Sequence, residues 1–360
     1  MRILITGVTG FVGSHMAEFL MHLSEADADA ARVGDQLHLY GTKRRLSNTE
    51  NLSVPVNLLD CELTDYTSVA HVIKEAKPEL IFHLAAQSFV PYSWSAPAET
   101  IRVNLLGSLN LFEAVREYTP ETKIHVAGSS EEYGFVTPAE CPITEEQPLR
   151  PLSPYGVSKA AMDLLAQQYV RSFQLKITIT RAFNHTGPRR GVEMATSSFA
   201  SQIAMIEAGM MPPVISHGNL QARRDFTDVR DMVRAYWLAI NNCGAGEPYN
   251  ICSGVTYTIG SVLDKLLSFS KAKPELKEDP ARMRPSDVPL LLGSAAKFKK
   301  LTGWEPKYAF SQTLLDLLNY WRTKLSRSSA FKGWHGTSRP MSPEDRRILD
   351  RQIEEVKHKK

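Results

Sequence analysis

Cysteine is scarce in this 360-residue chain. Its four copies, Cys61, Cys141, Cys243 and Cys252, are scattered, and no two form a Cys-x-x-Cys pair. That spacing argues against a disulfide scaffold and a zinc site, so reduced thiols and no bound metal are expected. Charge imbalance is also small: 42 basic against 39 acidic residues leave a net +3, too little to mark a nucleic-acid surface. No apolar run is long enough to cross a bilayer, and Met1-Arg2 leads straight into a strand rather than into a signal peptide. The expectation is a cytoplasmic protein with neither a membrane nor a nucleic-acid partner. Internal repeats and low-complexity tracts are absent too. What remains is ordinary globular material, 43% apolar and 22% charged, of a length that suggests about two domains.

The N-terminus holds a short apolar strand, residues 2–5, followed at once by Thr6-Gly7-Val8-Thr9-Gly10-Phe11-Val12-Gly13. A glycine triplet between a strand and a helix lets backbone N–H groups approach a pyrophosphate at the helix N-terminus. Gly7, Thr9, Gly10, Phe11, Val12 and Gly13 are therefore candidate cofactor contacts. A second strand, 36–40, ends in Gly41-Thr42-Lys43-Arg44-Arg45. An acidic residue there would hold a ribose 2′-hydroxyl, whereas basic residues suit a 2′-phosphate, which favours NADP, with NAD as the alternative. A third strand covers 56–59 and a helix 66–76. Leu80 to His83 then begin an apolar strand whose end, Leu84-Ala85-Ala86-Gln87-Ser88, is small enough for a ribose to lie against the backbone. A helix over 98–118 and a strand over 124–127 continue the alternation, which is the pattern of a Rossmann-type, doubly wound parallel sheet.

That strand delivers Gly128-Ser129-Ser130-Glu131-Glu132-Tyr133, and a helix from about 153 to 173 carries Tyr155 and Lys159. Residues four apart share a helical face, so the Lys159 ammonium is expected to lower the Tyr155 phenol from about 10 and ready it for proton transfer. Alone, such a pair is more often a surface contact. Ser129 supplies a hydroxyl that could hold a substrate alcohol or ketone against the tyrosine.

After a strand over 176–180 the pattern loosens. Helices are expected over 199–208, 229–241 and 311–325, strands at 214–215 and from 249, and a loop over 218–226. Arginines 189, 190, 223, 224, 282 and 284 suggest a site for a second diphosphate, because a guanidinium fork binds phosphate oxygens in pairs. Residues 25–35 look like a lengthened loop. Ser342-Pro343 starts a final helix with a narrow apolar stripe.

As a set, the glycine triplet, Ser129, Tyr155 with Lys159, and Arg224-Asp225-Phe226 resemble the extended short-chain dehydrogenase/reductases that act on nucleotide sugars. The resemblance covers residues 1 to about 325. The phrases at 128–134, 150–156, 183–188, 218–231 and 284–289 bring it nearest to the reductases of GDP-4-dehydro-6-deoxy-D-mannose and their relatives, the GDP-mannose 4,6-dehydratases. It implies an NADP-binding domain at 1–180 containing the catalytic residues. A smaller, mixed α/β nucleotide-sugar domain would follow at 181–330, with parts such as 226–252 returning to the first, and a peripheral helix at 331–360. It further implies Tyr155 as general acid, Lys159 on the nicotinamide ribose, and Ser129 orienting the ketone. Thr42, Lys43, Arg44, Glu62, Leu63, Leu84, Ala85, Ala86, Ser88 and His185 would contact the cofactor. Ser88, Ser129, Glu131, Asn184, Arg224, Arg284 and Ser286 would contact the GDP-sugar.

Glu131 stands where the dehydratases keep a catalytic acid, so dehydration stays open. Ser129 in place of threonine, Phe226-Thr227-Asp228 in place of Trp-Gly-His, and the lack of basic residues near Ser197-Ser198 lean towards reduction, giving GDP-D-rhamnose. Another nucleotide-sugar reductase or epimerase, and a non-catalytic NADP-binding protein, are the remaining alternatives. The resemblance also implies a homodimer paired through helices 98–118 and 153–173, with Leu105, Leu109 and Phe112 as apolar contributors and a tetramer still open.

Overall fold

Strand β1 (Arg2–Thr6) buries Ile3, Leu4 and Ile5 completely. Successive side chains point to opposite faces, so Ile3 and Ile5 enter one core and Leu4 the other. A strand that is apolar on both faces has to lie inside a sheet covered on both sides. Around it stand β2 (His38–Lys43), β3 (Asn57–Asp60), β4 (Leu80–His83), β5 (Lys123–Ser129) and β6 (Lys176–Ala182). With Pro248–Ile251 at the far edge, they form a seven-stranded sheet, and every pairing in it is parallel. In space β3, β2 and β1 run to one side of the β1–β4 junction, and β4, β5, β6 and the Pro248 strand run to the other.

The computed structural model describes residues 1–26, 37–283 and 288–327. One compact unit spans Met1–Trp321; a second spans Arg322–Lys360, and of it only 322–327, the end of the last helix, is described. The expected helix after Ser342, Arg284, Ser286 and most of the loop 25–35 lie outside the described residues.

Helix α1 (Phe11–Ala26) and the helix Val229–Asn242 pack on one face of the sheet, with Met16, Ala17 and Leu20 joining Met232 and Tyr236. Helix α2 (Tyr66–Ala76), a helix over Gly107–Tyr118 and a long one over Pro154–Phe173 cover the other, with Val72, Phe112 and Met162 in its core. Each such buried side chain is worth about 1.5–3 kcal/mol. Phe112 therefore belongs to the core and is not available to a partner subunit. The expected helix 98–118 is interrupted. Pro97–Ile101 and Gly107–Tyr118 are α-helical, and Arg102–Leu106 form a wider π-turn around the buried Asn104.

Past β6 lies a second layer. Strand β7 (Asn184–Thr186) and Leu290–Leu291 pair in parallel with Arg223–Asp228, and Thr256–Thr258 pairs with it antiparallel. A separate parallel pair joins Val214–His217 to Glu275–Glu278. The expected loop 218–226 is thus a loop only to Ala222. Its polar run Arg223-Arg224-Asp225 hides a strand, because the buried Arg224 and Asp225 are satisfied internally while Arg223 faces solvent. Arg224 Nη1 donates to the Val288 carbonyl at 2.6 Å, and Asp225 accepts from the Ser253 and Gly254 amides at 2.8 and 2.9 Å.

Candidate active site

The β1–β4 junction is where connections diverge to the two halves of the sheet, and in such sheets ligands settle outside the strand ends at this point. A cleft of about 1000 Å³ opens there. Gly7 sits at φ +70°, and a side chain on it would meet Ala85 Cα at 2.9 Å. On Gly13 a Cβ would meet the Gly7 carbonyl at 2.3 Å. Only glycine allows this loop to fold so tightly against the sheet. Thr42 Oγ1 fastens it by accepting from the Gly7 amide at 3.1 Å, while Thr6 Oγ1 accepts from the Leu84 and Ala85 amides at 3.1 and 3.2 Å.

Lining this cleft are Gly7, Thr9, Gly10, Phe11, Val12, Gly13, Thr42, Lys43, Arg44, Glu62, Leu63, Leu84, Ala85, Ala86, Ser88, Tyr155, Lys159 and His185, the whole set expected to meet the cofactor. Lys43, at the end of β2, pairs with Asp60 at the end of β3 at 2.5 Å. Its charge is therefore partly neutralised, while Arg44 is exposed.

The opposite wall is built by the end of β5 and by α6, the helix Pro154–Phe173 counted after Val90–Ser95, Pro97–Ile101 and Gly107–Tyr118 as α3–α5. Ser153 caps it by accepting from the Gly156 amide at 3.0 Å, and Pro154 opens its first turn. Tyr155 and Lys159 follow one turn apart, and both are buried. The Tyr155 phenol and the Ser129 side chain line the cleft together, near enough for Ser129 to act on the phenol's titration. Burial pushes the phenol up to about 12, Ser129 and Arg190 pull it back, and Glu131 and Glu132 add to the rise. Lys159 Nζ donates to the Ala127 carbonyl on β5 at 2.8 Å, and burial lowers the lysine to about 8. The phenol therefore stands above its ordinary range rather than below it as expected, burial outweighing the groups that lower it.

Ser88, Ser129, Glu131 and Asn184 line the same cleft. Arg224 is not brought to it: the side chain is buried against Val288. Phe226 is stacked on Phe310 at 5.2 Å, and Asp228 caps the helix at Val229 and binds Arg230. Neither lines the cleft, so the contrast with Trp-Gly-His concerns the core. Ser197 is likewise engaged, donating to the Arg190 carbonyl at 2.7 Å and accepting from Trp321 at 2.9 Å.

Arg190 is the residue that sequence reasoning left among unsorted loop arginines. It lines the cleft with its guanidinium 4.9 Å from the centre of the Phe11 ring, and the His185 ring is stacked on Phe11 at 5.9 Å. The glycine loop and the loop after β7 are thus clasped through one aromatic ring. Position alone, just past Gly187-Pro188, was the only hint.

Among the described residues no group of three or more His, Cys, Asp or Glu could hold a metal ion, and no helix is long and apolar enough to cross a membrane.

A family model described as GDP-mannose 4,6 dehydratase matches residues 4–317. The GDP-6-deoxy-D-mannose reductase of Pseudomonas aeruginosa is 32% identical over 324 residues, covering 90% of this chain and 98% of that protein. GDP-mannose 4,6 dehydratase 2 of Arabidopsis thaliana is 31% identical over 328 residues, 86% of this chain and 83% of that one. A solved structure, RMD from Pseudomonas aeruginosa complexed with NADPH, superposes with a TM-score of 0.75 at 29% identity, covering 90% of this chain and all of the other.

Proposed function

This chain belongs to the GDP-mannose 4,6-dehydratase family, and from that premise we propose that it reduces the C4 ketone of GDP-4-keto-6-deoxy-D-mannose to GDP-D-rhamnose with NADPH. The carrying observation is the Ser129–Tyr155 hydroxyl pair set in one cleft with the bare glycine loop. The P. aeruginosa reductase, matched over almost its whole length, supports the reading.

The residues present fit such a cofactor. Backbone that no side chain could occupy suits a pyrophosphate, and Lys43 with Arg44 suits a 2′-phosphate. NADPH, when bound, supplies the hydride. Tyr155, protonated at neutral pH, donates to the ketone oxygen, and Ser129 holds that oxygen in line with it. Lys159, still mostly charged at neutral pH and held by Ala127, would bond the nicotinamide ribose. His185 and Arg190, packed on the Phe11 ring, would hold the cofactor from the β7 side of the cleft. Asn184 and Ser88 meet the sugar. Arg224 with Arg284 and Ser286 would grip the GDP end, which asks Arg224 to leave the Val288 carbonyl. This divides the chain by task, cofactor in 1–180 and nucleotide sugar mainly in 181–330.

One observation favours dehydration of GDP-mannose as a second reading: Glu131 lines the same cleft beside Tyr155. The two differ in their use of reductant. A reductase consumes one NADPH for each 4-keto sugar, leaves GDP-mannose untouched and tolerates Glu131→Gln. Water loss from GDP-mannose with no net NADPH use, abolished by Glu131→Gln, would decide for the dehydratase.

A homodimer is the proposed assembly. Exposed Ile101, Leu106, Val157, Leu164 and Phe173 stand on the helices and π-turn concerned. Light scattering at micromolar concentration should give twice the chain mass; a strict monomer refutes it.

A further inference from the structure

Behind Ser129 lies a cluster of ionisable side chains that the proposed chemistry does not use. Glu132 is fully buried, and its Oε1 accepts from the Ser129 backbone amide at 2.6 Å. Its Oε2 finds no well-formed hydrogen bond, lying 3.4 Å from Arg181 Nε beside the Asp163 carboxyl. Arg181 Nε donates to Asp163 at 2.8 Å, and Gln167 donates to the other Asp163 oxygen at 2.6 Å. Arg181 Nη1 reaches the Tyr133 hydroxyl at 3.1 Å, which donates to Asn250 at 2.7 Å. Two carboxyl groups therefore share one guanidinium in a site closed to water.

Such a cluster is an expensive way to end a strand. Ser129 and Glu132 form a reciprocal capping box, with Ser129 Oγ accepting from the Glu131 amide at 3.2 Å. Surface caps of that kind work equally well with glutamine and need no buried charge. Buried ion clusters are weak evidence of stability, and in some proteins they are retained because they hold one geometry. What this one holds is the backbone of the residue whose hydroxyl meets Tyr155. Burial and Asp163 raise the Glu132 carboxyl well above its ordinary range.

We propose that Glu132 is a positioning residue for the reaction: tied to Arg181 and Asp163, it clamps the Ser129 amide and so sets the Ser129 hydroxyl against Tyr155. The inference deepens the reading of this cleft as a ketone-reducing site and rests on it. If Glu132 acts only through Ser129, the two residues must be non-additive. Glu132→Leu should lower kcat about tenfold or more while KM and NADPH Kd stay within about twofold. In a Ser129→Ala background the same change should cost less than about twofold. Glu132→Gln, which keeps the acceptor oxygen, should restore most of the loss.

The Arg181–Asp163 pair survives in these variants. Should Glu132→Leu still fail to fold, Glu132→Asp withdraws the acceptor by one methylene and serves in the same cycle. Additive losses, or native kcat in Glu132→Leu, overturn the proposal. Hydrogen exchange at the Ser129 amide gives a readout free of any substrate. It should be among the slowest in the native protein, fast in Glu132→Leu and slow again in Glu132→Gln. Equal protection in native and Glu132→Leu proteins sinks the clamp whatever the substrate is. If the exchange result holds and the 4-keto sugar is not reduced, only the reading of the reaction fails.

Discussion

The two walls of the cleft are made by different means. The wall of Gly7 to Gly13 and Leu84 to Ser88 presents backbone amides and small side chains, shaped by what is missing from them. The wall of Ser129, Tyr155 and Lys159 presents three buried side chains, and Tyr155 and Lys159 are displaced from their ordinary pKa by burial and by neighbours distant in sequence. On the proposed function, the first would recognise through shape and dipole and the second would react through positioned protons. A substitution should therefore damage binding or chemistry according to its wall.

The sharpest test is Tyr155→Phe. Losing only the proton donor should cut turnover by about 10²–10⁴ while NADPH affinity, measured by titration, changes less than about threefold. Comparable losses in both would erase the contrast between the walls.

Lys159 offers a pH test of the reacting wall. Its folded-state pKa is about 8 against an ordinary 10.5. Between those values the unfolded chain binds the extra proton, so folding stability rises with pH, by up to about 3 kcal/mol. Below pH 8 the cost of holding the buried charge is constant. Urea denaturation across pH 7 to 10 should show a rise that Lys159→Met lacks; parallel curves would mean the lysine is better solvated than its 5% exposure implies.

On the binding wall, Gly13→Ala forces a Cβ to within 2.3 Å of the Gly7 carbonyl. The loop has to shift, and NADPH Kd should weaken about tenfold or more with kcat at saturating NADPH nearly kept. The smallest effect is expected from Asp60→Asn. Freeing Lys43 from its ion pair should raise the preference for NADPH over NADH about threefold, given how little partly exposed pairs are worth. An unchanged ratio would place the 2′-phosphate elsewhere.

The contrast also accounts for what could be read in the chain itself. Glycine spacing, the strand–helix alternation and the Tyr155/Lys159 interval are local signals, so the parallel sheet was legible, and every residue expected to meet the cofactor lines the cleft. Three features were not legible, because each depends on groups far apart in sequence. Lys159 turns to Ala127 rather than to the phenol. Arg190 reaches the glycine loop only through the Phe11 ring. Arg223–Asp228 is a strand although its charged residues mask any alternation. Helix 98–118 hid its π-turn for a related reason. Asn104 there bonds Gln87 and Ser158, partners that no helical periodicity reveals.

The last strand of the large sheet, Pro248–Ile251, is delivered long after its neighbour β6 has ended at Ala182. On a ribosome, β6 would emerge with an unpaired edge and wait for more than sixty further residues, at about 5–20 residues per second, a delay of several seconds. The helix at Val229–Asn242, which roofs one face of the sheet, arrives in the same late stretch. A nascent chain halted near residue 182 therefore displays a naked strand edge and an apolar face together, the combination that recruits chaperones or seeds aggregates. The half that carries Tyr155 cannot finish folding until the half that follows has been made.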